Sequence, residues 1–517
     1  MSRLGTPLAL LLLALPAPGR ADEDRGAAEE AAAPEVPTEG AASALSDETG
    51  TEGLTSRRSA PPEVFREGLA DFYDESYAEA AARMYDYVAT NEAGTENRAW
   101  AEYFLGVSLA RLGFGQGAAE HLFDVANDRS KPEILPDALT EIERLMGGPH
   151  DEALLDRRLI VDTDFGYLPP SVAGFVRFHQ GLADLRAGRV RWARRAFASI
   201  PDDTRYAPEA DYALGVAALR RSRDARAVAR FRAAEAHPEA DRDLRNRARL
   251  ALARVLYERE RYPAAEAMYR RVEVPELTAA EGALLLERAW TAYWQQDPRE
   301  AMGLLYALEA PSYRDLYAPE KFLLRALIYQ RACHYIPAKR AVRRFRFEYG
   351  PTLEHIRRRS DLRDSPELRR AARTRDPALA RAVAHRRALA EEQQRIDDVG
   401  GRWRETGLDE SLRRIYDLAA QRADLALDAR LAVVTREVAE ELVEFEEQMN
   451  LLDYEVGLSI YRRLREERAR RGLEERIEIP IGGPDAIYPF VDEFWNDELS
   501  SYDFLITSRC FDDGGEQ

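Results

Sequence analysis

From Pro61-Pro62 to about residue 350, small, alanine and bulky apolar positions recur in one arrangement. A small residue is followed twelve positions later by alanine, and four positions after that by a bulky apolar residue. The instances are Gly68–Ala80–Met84, Gly106–Ala118–Leu122, Gly181–Ala193–Phe197, Gly215–Ala227–Phe231, Ala253–Ala265–Tyr269, Ala289–Ala301–Leu305 and Ala326–Ala338–Val342. The lead positions lie 38, 75, 34, 38, 36 and 37 residues apart, and 75 is close to two periods, which predicts a degenerate unit near residues 135–170. A fixed period in the thirties marks a helical solenoid. Each unit reads as two antiparallel helices. The small residue on the first allows a close crossing, and the second answers with alanine and then a large residue that fills the groove toward the next unit. Gly113, Gly188, Asp297-Pro298 and Ile336-Pro337 are expected between paired helices, and Gly115 and Gly117 extend the first of these into a loose turn. Pro201, Pro238, Pro275, Pro311 and Pro351 are expected to stop the second helices.

The pattern then changes. Residues 377–400 and 409–472 read as long helices. Apolar residues at 3–4 spacing run through Leu412, Ile415, Tyr416, Ala419, Ala423 and Leu427, then Leu431, Val434, Val438, Leu442 and Phe445, then Leu452, Val456, Ile460 and Leu464. This predicts a helical hairpin or coiled coil that packs on itself or against the solenoid. Gly400-Gly401 and Gly407 supply the turn. Residues 477–517 form an aromatic tail with Tyr488, Phe490, Phe494, Trp495, Tyr502 and Phe504. Such a density of rings is not left bare. The tail is expected to clasp the helices, with Cys510 and Cys333 as a rivet. The alternative is strand addition by residues 502–508 to a partner's sheet edge.

The fold class is therefore all-α, a solenoid of stacked helix pairs over 61–351, a long helical extension over 352–476 and the tail. The sequence resembles the tetratricopeptide repeat (TPR) superfamily over about residues 62–350. The resemblance rests on Ala-Glu-Tyr-Phe-Leu-Gly at 101–106, Gly-Arg-Val-Arg-Trp-Ala at 188–193 and Glu-Arg-Tyr-Pro-Ala-Ala at 260–265. It departs in its longer period and in lacking most of the family's early tryptophans. It implies an interaction surface for proteins or peptides. The ending Trp-Asn-Asp-Glu-Leu…Tyr…Ser-Arg-Cys is similar to TPR proteins of myxobacterial envelope machines, including those of gliding motility.

The N-terminus sets the expected compartment. Arg3, an apolar run from Leu8 to Leu15, Pro16 and Pro18, and Gly19-Arg20-Ala21 read as a secretory signal peptide cut after Ala21. Residues 22–60 hold ten acids against three arginines and almost no large apolar residues, and are expected to form a disordered linker. No other stretch is long and apolar enough to span a bilayer, so a periplasmic or secreted protein is expected. In that compartment the two cysteines, Cys333 and Cys510, are either bridged or two separate thiols. The formal net charge of -18 argues against nucleic acid as a partner. Within this acidic chain, Arg357, Arg358, Arg359, Arg363, Arg369, Arg370, Arg373 and Arg375 make a basic island. It is either a solvated face answering acids on the same molecule or a docking patch for an acidic partner or anionic glycan.

Catalytic chemistry is not expected. The seven histidines are dispersed, Cys333-His334 diverge on a helix, and no zinc, calcium or phosphate-loop motif is present, so no metal or cofactor is expected. A small-molecule substrate is not expected either. Partner contacts are expected from first-helix positions: Tyr103, Arg177, Tyr212, Arg249, Glu287 and Arg325. The expected role is a scaffold that binds protein partners in an envelope complex for motility, secretion or outer-membrane assembly. The alternative is a glycan- or peptidoglycan-binding module.

Overall fold

The computed structural model describes residues 62–510, apart from 93, 129–130, 152–153, 156–164, 166–167, 359, 400, 471–493 and 495–497. The expected signal peptide and linker, part of the degenerate unit and most of the aromatic tail, including Tyr488, Phe490 and Trp495, lie outside these residues. Among the described residues there is no strand, and no helix is long and apolar enough to cross a membrane. The helices pack as two compact units. One holds the described residues up to Arg195 together with His385–Ala423. The other holds Ala196–Ala384 and the described residues from Asp424 onward.

In the first unit, α1 (Pro62–Tyr73) pairs with α2 (Tyr77–Thr90) and α3 (Arg98–Arg111) with α4 (Gly115–Asn127). They are followed by α5 (Leu135–Leu145), α6 (Pro170–Arg186) and α7 (Val190–Phe197), the last carrying the boundary between units. Helix α5 begins the expected degenerate unit. The crossing pattern has a direct cause. A β-carbon on Gly68 would lie 3.0 Å from Met84 Cε, and one on Gly106 would lie 2.8 Å from Leu122 Cγ. The bulky residue therefore sits over the small residue of its own pair, not toward the next unit as the sequence suggested. Gly115 and Gly117 are not turn residues. They begin α4, and Gly117 lets Leu412 approach to 2.7 Å of its β-carbon position.

Three later segments close this unit: the end of α17 (Pro377–Arg395), α18 (Gly401–Thr406) and the start of α19 (Leu408–Arg470). Trp403 is fully buried beside Phe114, with ring centroids 5.4 Å apart, and its indole N–H donates to Ala78 O at 2.9 Å. The Glu392 carboxylate sits at the N-terminus of α4. It accepts from Gln116 N–H at 3.1 Å and from Tyr416 O–H at 2.5 Å, where the helix leaves its first amides unpaired.

The second unit stacks four pairs: α8 (Tyr206–Leu219) with α9 (Asp224–Ala236), α10 (Arg242–Glu258) with α11 (Tyr262–Tyr269), α12 (Ala279–Trp294) with α13 (Pro298–Ala307), and α14 (Glu320–Arg331) with α15 (Tyr335–Arg357). Gly215 lies under Phe231, where a β-carbon would come within 2.6 Å of the ring. Ala253, Ala289 and Ala326 are likewise fully buried, as are Tyr269, Leu305 and Val342. Two prolines depart from expectation. Pro337 lies in the first turn of α15 rather than before it, and Pro351 lies inside α15 instead of ending it. A proline forfeits one helical hydrogen bond, and here Thr352 and Leu353 continue the buried face beyond it.

α16 (Pro366–Arg375) and the beginning of α17 follow. Leu442, Phe445, Met449, Leu452 and Val456 of α19 join the core formed by Phe322, Val342, Phe345 and Tyr349. Helix α19 thus covers the last pair, which no further repeat would otherwise bury. Its other arm forms the expected hairpin with α17, through Gln393–Asp417 at 2.7 Å in one unit and through Leu379 against Val434 and Val438 in the other, where Arg430 also reaches Asp376, just before α17, at 2.5 Å.

Seven described turns inside pairs share one form. The residue two past the first helix, or three past it for Ser222, has a left-handed backbone: Glu75, Gly113, Gly188, Ser222, Glu260, Gln296 and Cys333. The next amide reaches back five residues, from Ser76 to Asp71 O through His334 to Tyr329 O, at 2.7–3.0 Å. This satisfies a carbonyl that the helix end leaves open. These positions repeat at the spacing read from the sequence. Five of the seven carry a side chain where glycine is favoured. Glu260→Gly and Gln296→Gly, both exposed, should therefore raise stability by about 1 kcal/mol each. A higher denaturant midpoint checks this, and a lower one refutes the strain argument.

Candidate peptide-binding site

The six expected partner residues all fall on first helices. Tyr103 on α3 and Arg177 on α6 belong to the first unit, and both are half-buried. Burial, with Asp137 and Glu141 nearby, pushes the Tyr103 hydroxyl up to about 12. Arg177 donates to Gln180 one turn along at 2.9 Å. The other four stand on successive first helices of the second unit. The Arg247 guanidinium lies over the Tyr212 ring at 5.1 Å. Arg249 reaches Glu235 at 3.0 Å and Arg271 O at 2.8 Å. Arg325 reaches Glu309 and Leu305 O, both at 2.8 Å. Through Glu235 and through Glu309 and Leu305 O, the two arginines tie a first helix back to the preceding pair, and Arg249 also holds the end of its own pair at Arg271 O.

Glu287 corrects the expectation most clearly. It is only 6% exposed, and its carboxylate is held by Arg254 through Nε at 3.0 Å and Nη2 at 2.6 Å. A partner cannot reach it. First-helix spacing marks a face, but consecutive first helices face each other as well as the groove. The spacing alone therefore does not separate a stacking residue from a groove residue.

Next along the stack, Trp290 donates its indole N–H to Glu320 Oε2 at 2.9 Å. Desolvation is the main cause raising the Glu320 carboxyl, with a further contribution from the nearby Glu287 charge. Trp290 and Arg375 pull back, and the carboxyl settles at about 7 against a usual 4.5. The folded protein therefore binds this proton more tightly than the unfolded chain, so stability falls as pH rises from about 4.5 to 7. Glu320→Gln keeps the acceptor and removes the charge. We expect it to stabilise the protein by about 1–3 kcal/mol at pH 8 and hardly at all near pH 4, measured by denaturation at the two pH values.

The described end of the chain lies on the second unit as an extended peptide. Residues 502–507 alternate, with Tyr502, Phe504 and Ile506 half-buried against the core and Asp503, Leu505 and Thr507 exposed. That is the period of an extended strand. Main-chain bonds fix the register: Phe504 N–H donates to Arg299 O at 3.2 Å, and Arg509 N–H to Ala332 O at 2.9 Å. His334 lies 2.7 Å from Thr507 O, which requires Nε2 to carry the hydrogen. The Phe494 and Phe504 rings stack on Tyr306, with centroids 5.9 and 6.3 Å away.

Two features build this seat. Gly303 on α13 has no side chain, and the Tyr502 carbonyl passes directly over it, where a β-carbon would stand. Arg288 is buried and held by Glu266 at 3.0 Å and Glu300 at 3.3 Å, which aims its third nitrogen at Ser500 O, 3.4 Å away. Beyond Arg509, the Sγ atoms of Cys333 and Cys510 are bonded, with Cα atoms 5.1 Å apart. Cys333 is also the left-handed turn residue of the last pair. The described part of the tail, residues 498–510, is therefore held in cis, and residues 502–508 are not a strand offered to a partner's sheet. Arg254, Arg288 and Gly303 did not stand out in the sequence, and His334 was weighed only as a neighbour of Cys333. Gly303 left one trace, a glycine in a helix interior where it is ordinarily unfavourable.

The basic island is largely answered by acids of the same chain. Arg357 meets Glu446, Arg375 meets Glu441, Arg370 reaches Asp315 at 2.9 Å, Arg358 reaches Glu354 at 3.1 Å, and Arg363 pairs with Asp361 at 2.6 Å. Among the described residues, no group of three or more His, Cys, Asp or Glu side chains could hold a metal ion.

No family model matches the chain, and no curated protein matches it. Among solved structures, it is similar to a tetratricopeptide repeat protein from Parabacteroides merdae. The identity is 13%, the match covers 55% of this chain and 91% of that one, and the TM-score is 0.24. It is also similar to the apo form of RapI at 13% identity, covering 71% of this chain and 98% of that one, with a TM-score of 0.33. Those scores carry no argument about function, and the fold stands on the paired helices and their repeated turn. The chain has an all-α architecture of stacked helix pairs.

Proposed function

We propose that the protein is a non-catalytic scaffold of the cell envelope that grips extended segments of partner proteins on its stacked helix pairs. One observation carries the reading. The second unit already holds an extended, aromatic-rich segment through alternating side chains and main-chain acceptors, the mode by which repeat surfaces recognise peptides. Peptide binding needs no reactive group. The seat offers carbonyls, rings and a fixed guanidinium. The signal-like residues 1–21 and the tail's likeness to myxobacterial envelope proteins support a periplasmic setting. The pairing of the basic island with internal acids leaves less free positive charge for an anionic glycan, so the protein-partner reading is favoured.

The test is to crosslink cells carrying the tagged full chain, isolate the envelope and identify what is bound. A reproducible set of envelope proteins is expected. Recovery only in the cytoplasmic fraction, or enrichment on purified cell-wall sacculi with no protein attached, would overturn the proposal.

A further inference from the structure

Helix α19 carries a second apolar face in its C-terminal half. The buried face of this stretch is formed by Leu442, Phe445, Met449, Leu452 and Val456. On the opposite side, Leu451, Tyr454, Leu458 and Tyr461 are 61%, 65%, 37% and 65% exposed. Their 3–4–3 spacing keeps them within about 80° of one another on a helix of 3.6 residues per turn. Isolated exposed apolar residues are ordinary, but a continuous stripe marks an interaction surface. Such a stripe at heptad spacing is the seam of a two-helix coil.

The charges at its ends identify the occupant. Glu444 and Glu447 lie at the N-terminal end of the stripe and Arg462 and Arg465 at the C-terminal end, all exposed. A second α19 laid antiparallel, with its two-fold axis at Val456, places Leu451 opposite Tyr461, Tyr454 opposite Leu458 and Glu447 opposite Arg465. Each contact then occurs twice, as a closed two-fold interface requires. A parallel, in-register partner would instead set acid on acid and base on base. We propose that this face pairs two copies of the chain into an antiparallel dimer through residues 447–465, which would present two scaffold surfaces on one axis.

The test uses full-length protein and sedimentation equilibrium. The unmodified chain should dimerise. Glu447→Arg and Arg465→Glu should each weaken dimerisation about tenfold or more, because each turns both symmetric end pairs from attractive to repulsive. Both positions are exposed, so helix content should be unchanged by circular dichroism. An equimolar mixture of the two single variants restores both pairs and should recover association, as should the double variant. A chain that remains monomeric, because another segment or a different protein covers the stripe, would overturn the proposal. So would a dimer indifferent to the charge exchanges, or single variants that fail to recover on mixing.

Discussion

Replacing Glu287 with alanine is expected to destabilise the second unit by about 3–5 kcal/mol, among the largest single effects in the molecule. Arg254 and Glu287 are 7% and 6% exposed and joined through two nitrogens. Burial alone would lower the arginine's pKa, but the Glu287 charge and hydrogen bonds outweigh it and hold the guanidinium protonated more firmly than usual. An arginine does not escape a lost partner by giving up its proton. Removing Glu287 would therefore leave a buried, uncompensated cation between α10 and α12. Removing both charges should be far milder, because a buried ion pair returns little beyond its own desolvation. Arg254→Met with Glu287→Leu should recover most of the loss. Denaturant unfolding followed by fluorescence of the nearby Trp290 and Trp294 measures all three proteins. A single-variant loss below about 1 kcal/mol, the range of an exposed pair, would mean that water reaches this bridge.

The second large effect is expected at Gly303. Glycine in a helix interior is less favourable than alanine by about 1 kcal/mol, so Gly303→Ala should stabilise α13 if nothing lay against it. The Tyr502 carbonyl occupies the space of the new methyl group, and main chain cannot step aside as a long side chain can. The substitution should lift the tail. Phe504 N–H and Arg509 N–H would lose their acceptors on Arg299 and Ala332, and Leu499, now 1% exposed, would open to water. Hydrogen exchange at residues 499–510 should accelerate at least about tenfold, the signature of a segment that has lost cooperative protection. With the register broken, Cys510 should no longer reach Cys333, and both thiols should become available to alkylation. Unchanged exchange, together with a gain in stability, would show that the tail does not bear on α13. Closing a loop with a sequence separation of 177 restricts the unfolded chain strongly, so the open form should also unfold more readily.

The sequence was most legible where a physical requirement is local and repeated. Glycine or alanine opposite a large residue recurs because two helices must cross closely, and the same interval sets the turn that ends each first helix. Spacing tied Gly68 to Met84 and Gly215 to Phe231 as members of one unit, and only the structure put each large residue over the glycine of its own pair. The apolar stripe of α19 announced a long helix, and the aromatic tail announced that something must cover it. Legibility failed where one local signal serves two ends. Pro351 reads as a stop, yet the buried residues after it carry the helix on. Leu464 fits the 3–4 pattern of the core, yet it is 53% exposed. Glu287 has the spacing of a groove residue and is enclosed by Arg254.

What the sequence determined by itself is the class of object: helix pairs, their period and the positions of most of their turns. Periodicity is a property of neighbouring residues, and backbone geometry converts it directly into helices and crossings. The tertiary structure alone decided which charges face each other, where the tail lies and which stripe of α19 stays bare. Those depend on pairs far apart in the chain, such as Gly303 with Tyr502, Cys333 with Cys510 and Lys339 with Asp453, which are brought together only when the stacked helices fix their positions.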